Sequence, residues 1–201
     1  MNFIITLTGP SCGGKSTLEN SLEGNKIGKK VISFTTRTIR DGEADGVDYY
    51  FISKDEANRL IEEKQAVQYV MFGEHIYGST QAEFDRIYAE TNVAIVVVEP
   101  TGVTQFAKYA EDRGDCFLIR YFVTNTTQKL VERMLLRYGC NVAENKTTIF
   151  AKRIEHLLKV EVWWGRDTEF YSIFILNTIE EKQEACKEVN SHIERLICAF
   201  K

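Results

Sequence analysis

The segment from Gly9 to Thr17 constrains the fold of this chain more than any other feature of the sequence. It reads Gly-Pro-Ser-Cys-Gly-Gly-Lys-Ser-Thr and lies between an apolar run at residues 3–7 and a segment with a helical pattern. This glycine-rich spacing allows backbone N–H groups to surround a phosphate, while Lys15 adds a mobile cation and the hydroxyl of Ser16 suits magnesium. The order of strand, loop and helix predicts an α/β protein with a nucleotide-binding loop.

The length and the charge of the chain limit the kinds of protein that it can be. A chain of 201 residues with 44% hydrophobic residues suits one α/β domain, spanning 1–201, with inserted flaps. The net charge of −4 argues against a polyanionic partner, so we expect no nucleic acid to bind. A mononucleotide is a better candidate, because a local basic cleft can bind a small phosphorylated ligand.

The cysteine and hydropathy patterns favour a cytoplasmic protein. The five cysteines are widely scattered, with no close pair at metal-binding spacing, and no secretory segment precedes them. The apolar run at residues 95–98 is far too short to cross a bilayer and predicts a buried strand. We therefore expect no membrane residence, and the sequence leaves the oligomeric state open between a monomer and a homodimer.

Strand-like and helix-like segments alternate along most of the chain. The strand candidates are short and rich in β-branched or aromatic residues, at 3–7, 31–34, 93–98, 117–123 and 172–176. The helical patterns lie at 15–22, 101–111, 128–137, 147–162 and 180–200. This alternation predicts a mostly parallel five-stranded core sheet flanked by helices.

Two segments interrupt this alternation. Residues 34–92 contain short alternating pieces, several glycines and one charged helix, which predicts a small β-rich flap. Residues 138–146 are polar, with a glycine and two asparagines between helices that carry arginines, which predicts a loop. We expect both segments to close over a ligand.

Arg37 and Arg40 form the second chemical feature of the sequence. They lie three residues apart among Ser, Thr and Tyr hydroxyls. Two guanidinium groups with neutral donors beside them suit a phosphate, so these arginines are predicted to hold the monophosphate of an acceptor. The alternative is an arginine-rich surface hairpin that pairs with the neighbouring acids, Asp41, Glu43 and Asp45.

Three motifs together resemble the guanylate kinase family over about residues 3–177. They are the phosphate loop, the pattern Thr-Thr-Arg-x-x-Arg-x-Gly-Glu-x-x-Gly-x-Asp-Tyr at residues 35–49, and Tyr-Gly-Ser-Thr at residues 77–80. The resemblance implies a P-loop kinase fold, with 34–92 as an inserted subdomain that binds a nucleoside monophosphate and 138–146 as a lid. It also implies ATP and Mg²⁺ as cofactors and transfer of a phosphoryl group from ATP to a nucleoside monophosphate, most often GMP or dGMP.

The resemblance assigns roles to individual residues. The residues matched to the ATP site are Ser11, Cys12, Gly13, Gly14, Lys15, Ser16, Thr17 and Asn177. The residues matched to the acceptor site are Ser33, Arg37, Arg40, Glu43, Tyr49, Gln68, Tyr77, Ser79 and Glu99. The residues matched to phosphoryl transfer are Lys15, Arg40 and three lid arginines, Arg133, Arg137 and Arg153. Ser16 and Glu99 are the candidate magnesium ligands; without the resemblance, Arg133 and Arg137 would read as a solvated helix face.

Two positions depart from the family pattern. Gln68 stands where guanylate kinases place a glutamate that accepts two hydrogen bonds from guanine, and an amide offers only one acceptor atom. Either Gln68 tolerates guanine, or Glu74 replaces the missing acid, or the acceptor base is different. At the end of the strand at 93–98, Glu99 is retained but Val97 replaces a second acid on the same face.

There are two alternatives to a kinase of GMP or dGMP, of which only the first is motivated by the departures at Gln68 and Val97. The first is a kinase of the same fold whose acceptor is a deoxynucleotide with another base or a modified base. The second is a non-catalytic protein-binding module of guanylate kinase type. The intact residues Gly14, Lys15 and Ser16 argue against the second, because such modules have generally lost the phosphate loop.

Overall fold

Two β-sheets and the helices around them form this computed structural model, which describes residues 1–138, 144–166, 171, 173–176 and 182–199. The strands are β1 Asn2–Thr8, β2 Lys29–Lys30, β3 Phe34–Thr35, β4 Tyr50–Phe51, β5 Ala66–Phe72, β6 His75–Thr80, β7 Val93–Val97, β8 Cys116–Thr124 and β9 Ile173–Leu176. The α-helices are α1 Lys15–Gly24, α2 Lys54–Glu62, α3 Gln81–Glu90, α4 Pro100–Arg113, α5 Thr127–Tyr138, α6 Glu144–Lys159 and α7 Lys182–Ala199. A 3₁₀ helix, Glu161–Arg166, follows α6.

The larger sheet confirms the predicted α/β core. Its five strands have the order β2-β7-β1-β8-β9, and the pairs β2/β7 and β8/β9 are parallel. β7 is entirely apolar and β1 is buried from Phe3 to Thr8, as expected for strands covered on both faces. The alternation of strands and helices in the sequence therefore gave the correct fold class.

The strand predicted at residues 31–34 is wrong. The second strand of the core sheet is Lys29–Lys30, while Phe34–Thr35 pairs within the other sheet. The backbone N–H of Val31 still donates to the core-sheet residue Ile95, but the next N–H, that of Ile32, donates to the carboxylate of Glu83 at 2.9 Å. Because a side chain takes over the hydrogen bond at this point, the backbone leaves the core sheet.

The smaller sheet lies within residues 34–92 and has the order β4-β3-β6-β5. β5 and β6 form an antiparallel hairpin, and the helices beside them begin at side-chain N-caps. The Ser53 hydroxyl accepts from the N–H of Glu56 at the start of α2, and the Thr80 hydroxyl accepts from the N–H of Glu83 at the start of α3. Thr80 ends the motif at residues 77–80, so the motif sets both the end of β6 and the start of α3.

The chain divides into two compact units. Unit 1 consists of Met1–Ile5, Gly28–Val96 and Thr101–Leu118. Unit 2 consists of Thr6–Ile27, Val97–Pro100 and Ile119–Lys201. In unit 1, Phe34, Ala57 and Ile76 form a buried cluster under the smaller sheet. In unit 2, a buried cluster of Leu130, Met134 and Leu157 joins α5 to α6.

The helices of the chain are amphipathic rather than uniformly apolar. In the ranges that the structure describes, no helix has both the length and the apolar character needed to cross a lipid bilayer.

Candidate active site

The phosphate loop joins β1 to α1 in unit 2. Gly9 has a φ of 146° and lies against the end of β8, where a Cβ atom would overlap the carbonyl oxygen of Val123. Gly14 has a φ of 102° and forms the N-cap of α1. Both positions therefore require glycine, one because of close contact and the other because of backbone conformation. The helix begins at Lys15, which places its first N–H groups around the loop.

Cys12 is the strained residue of this loop. Its φ of 64° lies in the left-handed region, which costs a residue with a Cβ atom about 1 kcal/mol. Its carbonyl oxygen accepts a hydrogen bond from the guanidinium of Arg133 at 3.1 Å. The side chain of Cys12 is only partly buried and packs on the cluster of unit 2.

The ammonium group of Lys15 is bound to its own loop. It donates to the carbonyl oxygens of Gly9 at 2.8 Å and Pro10 at 2.9 Å. Burial lowers the pKa of Lys15, while the nearby carboxylates of Glu161 and Glu99 act in the opposite direction. The cation is thus already held over the loop, and a phosphate can replace the two carbonyl oxygens.

Glu161, at the start of the 3₁₀ helix, is the site residue that the sequence did not reveal. One carboxylate oxygen accepts from the N–H of Ser11 at 2.5 Å, and the other accepts from the Ser11 hydroxyl at 3.1 Å and lies 3.0 Å from Nδ1 of His156. Glu161 is only 8% exposed. It is 150 residues from Ser11 along the chain, and no local pattern marks either Glu161 or His156.

Glu99 lies just beyond β7 and belongs to unit 2, as Glu161 does. Its pKa is raised, first by partial desolvation and then by the negative charge of Glu161, while His156 and Lys15 lower it. A hydroxyl such as that of Ser16 and a carboxylate such as that of Glu99 are hard oxygen donors that suit Mg²⁺. Among the described residues, no group of three or more His, Cys, Asp or Glu side chains is placed to hold a metal ion.

The predicted lid residues are only partly described. Arg133 is half-buried on α5, whereas Arg137 on α5 and Arg153 on α6 are exposed. Of the predicted lid loop 138–146, residue 138 ends α5 and residues 144–146 begin α6, while 139–143 lie outside the described residues. Asn177 also lies outside them.

Arg37 and Arg40 have different environments in unit 1. Arg37 is 8% exposed, and its two terminal nitrogens bind the carboxylate of Glu43 at 3.0 and 2.8 Å. The backbone N–H of Arg40 donates to the same carboxylate, but the side chain of Arg40 is exposed. The guanidinium groups therefore do not form a symmetric pair. Arg37 pairs with Glu43, as in the surface-hairpin alternative, but it is buried rather than exposed.

Aromatic and hydroxyl groups surround Arg37. Its guanidinium carbon lies 5.6 Å from the ring centre of Tyr49 and 5.7 Å from that of Phe51, and the ring of Tyr77 meets Tyr49 edge-on at 5.9 Å. Hydrogen bonding to Glu43 raises the pKa of Arg37, and Tyr77 acts in the same direction. Burial raises the pKa of Tyr49, which keeps its hydroxyl protonated as a donor.

Gln68, Ser33 and Ser79 form a second polar group in unit 1. The hydroxyls of Ser33 and Ser79 lie 3.2 Å apart, and Gln68 on β5 pairs in register with Ser79 on β6. Gln68 is 6% exposed and Ser79 is fully buried. Glu74 lies in the turn beyond the far end of β5, and four strand residues, about 13 Å of extended chain, already separate Gln68 from that end. Glu74 is therefore not placed to replace an acid at position 68.

Comparison with known proteins identifies a family. The family model described as guanylate kinase matches residues 1–196. The guanylate kinase of Schizosaccharomyces pombe is 30% identical over 181 residues, which cover 89% of this chain and 84% of that protein. The guanylate kinase of Mycoplasmopsis pulmonis is 28% identical over 192 residues, covering 94% and 93%. The crystal structure of guanylate kinase from Anaplasma phagocytophilum superposes with a TM-score of 0.60 at 22% identity, covering 98% of this chain and 85% of that one.

The strain at Cys12 predicts an inverted order of stability for two substitutions. Cys12→Gly and Cys12→Ala both remove the thiol, but only glycine relieves the left-handed backbone. We expect the glycine variant to have a free energy of unfolding about 1 kcal/mol above that of the alanine variant, measured by urea denaturation. The same pair at Lys108, an exposed residue inside α4, should show the usual order with alanine more stable. A more stable alanine variant at position 12 would contradict the strain.

The Arg37–Glu43 pair predicts a pH-dependent contribution to stability. The guanidinium of Arg37 and the N–H of Arg40 lower the pKa of Glu43, so the pair stabilises the fold above the unfolded-state pKa, about 4.5, and is lost as the pH falls through the lower folded-state pKa. We expect the unfolding free energy of wild type to fall more steeply across this acid range than that of Glu43→Gln. Glu62→Gln, at an exposed position of α2, is the control. Equal slopes for wild type and Glu43→Gln would exclude this coupling.

Proposed function

Since this chain belongs to the guanylate kinase family, whose members are nucleoside monophosphate kinases, we propose that it phosphorylates GMP or dGMP with ATP. The products are ADP and the corresponding diphosphate. The observation that carries the proposal is the phosphate loop, with its glycines fixed by contact and its lysine held over the loop. The family match over residues 1–196 supports the same conclusion.

The phosphates of ATP are proposed to bind at the loop of unit 2. The N–H groups from Gly13 to Thr17 face the donor phosphates, and the ammonium of Lys15 exchanges its two carbonyl acceptors for phosphate oxygens. Ser11 and Cys12 shape the start of the loop. Asn177 is proposed to lie near the donor nucleotide, as the family pattern implies.

Charge neutralisation is the main catalytic effect in this proposal. Charge spreads over the equatorial oxygens of the transferring group, and Arg133, Arg137 and Arg153 are proposed to stabilise it. Ser16 and Glu99 would hold the magnesium ion of the ATP complex, which would supply positive charge to neutralise the phosphates. No general base is needed, because the acceptor phosphate oxygen is already anionic.

The acceptor nucleotide is proposed to bind in unit 1. Arg37 and Arg40 bind its phosphate together with the hydroxyls of Tyr49 and Tyr77, and Glu43 orients Arg37 through its two hydrogen bonds. Around the base we place the polar group described above, which consists of Ser33, Gln68 and Ser79. Glu99 is the remaining residue that the family pattern assigns to the acceptor.

The cellular setting is part of the same proposal. We infer a cytoplasmic protein that acts on free nucleotides as a monomer or a homodimer, without a nucleic acid or a membrane as a partner. The net charge of −4 supports this, because it disfavours polyanionic partners. The scattered cysteines agree with a reducing compartment, and the cysteines in the described residues are unpaired.

A substrate panel tests the proposed activity. Each ribonucleoside and deoxyribonucleoside monophosphate is incubated with ATP and magnesium, and diphosphate is measured; we expect GMP and dGMP to be the best acceptors. Lys15→Ala should lower kcat/KM by about 100-fold or more, because it removes a cation that stabilises the transition state. Lys29→Ala removes an exposed lysine paired with Glu90 and should keep normal turnover.

Three outcomes of this panel would argue against the proposal. Preferred turnover of another base would favour the alternative acceptor, and saturable ATP binding without any turnover would favour the protein-binding module. Near-normal turnover by Lys15→Ala would remove the loop from the reaction.

Gln68 predicts a change in base selectivity. Gln68→Glu adds a second acceptor for the donors of guanine, so it should raise kcat/KM for GMP by about tenfold relative to AMP. The control is Gln65→Glu, an exposed position just before β5. Unfolding curves for both variants show whether the new carboxylate affects stability. An unchanged ratio of GMP to AMP would show that residue 68 does not contact the base.

A further inference from the structure

The first turn of the phosphate loop is held from outside by two side chains of unit 2. Glu161 accepts from both the backbone N–H and the hydroxyl of Ser11, and Arg133 donates to the carbonyl oxygen of Cys12. Two successive residues of the loop are therefore fixed by groups from the 3₁₀ helix and from α5. Neither group belongs to the glycine-rich motif itself.

This external support lies where the backbone is strained. Cys12 has the φ of 64° that glycine adopts freely and cysteine does not. A strained residue persists only when its surroundings fix it more strongly than the strain opposes it. The hydrogen bonds on either side of the Cys12 backbone supply such fixation.

Glu161 is itself firmly placed. Its neighbour Val162 and the α6 residue Leu157 pack in the cluster that also contacts Cys12. Both oxygens of the carboxylate have partners, since His156 contacts the oxygen that also accepts from the Ser11 hydroxyl. The carboxylate therefore has little freedom to move away from the loop.

The charge of Glu161 has the wrong sign to attract a nucleotide. A carboxylate beside a phosphate-binding loop repels the phosphates, so any benefit for binding must come through the geometry of the loop. The contacts with Ser11 provide this route, because they fix the residue that precedes the left-handed turn.

We propose that Glu161 is a positioning residue for the donor phosphates. It holds Ser11 so that Cys12 keeps its left-handed turn and the following N–H groups converge on one phosphate. This inference rests on the proposed function only in taking ATP as the ligand of the loop. Glu161 touches neither nucleotide in this proposal.

The first test separates donor binding from acceptor binding. Glu161→Ala should raise the KM for ATP and the Kd for ADP about tenfold, because a charge-assisted hydrogen bond is lost. The KM for GMP should stay within about twofold, since the hydrogen bonds of Glu161 among the described residues go to Ser11 and His156 and not to an acceptor residue. Glu161→Gln keeps one oxygen acceptor for the Ser11 N–H and should recover most of the affinity. This variant also provides the test if the alanine variant does not fold.

The matched control removes a carboxylate from the same region. Glu155 lies on α6 and forms an exposed ion pair with Lys159, 2.6 Å away. Glu155→Ala should leave the KM for ATP and the Kd for ADP unchanged. A loss of ADP affinity in this control would mean that removing any carboxylate from this region destabilises it, and would overturn the proposal.

The second test uses the strain at Cys12. In a Cys12→Gly background the left-handed turn needs no external support, so Glu161→Ala should there raise the Kd for ADP by less than about threefold. A purely structural role would give the same loss in both backgrounds. An equal loss, or a KM for GMP that rises as much as the KM for ATP, would overturn the proposal.

The Kd for ADP separates the failure of this inference from the failure of the proposed function. It is measured by calorimetry on the intact chain and needs no turnover. If wild type phosphorylates no monophosphate but the ADP affinities follow the predicted pattern, the function is wrong and Glu161 still positions the loop. If wild type phosphorylates GMP but Glu161→Ala binds ADP normally, only this inference is wrong.

Discussion

The contact between the phosphate loop and the end of β8 is the constraint on which the candidate site depends. Gly9 approaches the carbonyl group of Val123 so closely that no side chain fits between them. The loop is therefore fixed against a buried strand, and the start of α1 follows from it within six residues. Because the strand is part of the core sheet, the position of Lys15 depends on the packing of the sheet. Function and fold are linked here through one steric contact.

The two units prepare their charged groups in a similar way. In unit 2 the ammonium of Lys15 binds carbonyl oxygens of its own loop, and in unit 1 the guanidinium of Arg37 binds the carboxylate of Glu43. Each cation is held by internal acceptors, so little side-chain freedom remains to be lost when a phosphate binds. Such groups are ordered before the ligand arrives, which is the condition for electrostatic stabilisation of a transition state.

Local features were predictable from the sequence, whereas contacts between distant residues were not. The glycine pattern predicted the loop because its spacing has a direct steric cause, and the alternating strands and helices predicted the parallel core. The strand at 31–34 failed because Glu83, about fifty residues away, captures the N–H of Ile32. Glu161 was missed for the same reason, since a single glutamate after a helix carries no local signal. The residue types alone could not separate two interpretations of Arg37, which were binding of an acceptor phosphate and pairing with a neighbouring acid such as Glu43.

Nucleotide binding by such a site is an exchange of hydrogen bonds rather than a simple gain. Lys15 must release two carbonyl oxygens, and a phosphate that engages Arg37 must compete with or share the carboxylate of Glu43. The bonds of Lys15 to carbonyl oxygens are already charge-assisted by the ammonium, and a phosphate oxygen adds the attraction of its own negative charge. For Lys15, replacing a carbonyl by a phosphate oxygen therefore favours binding. In the proposed acceptor site, replacing one anion by another at Arg37 gains little, so we expect Arg37 to contribute mainly orientation and the exposed Arg40 to provide the additional charge.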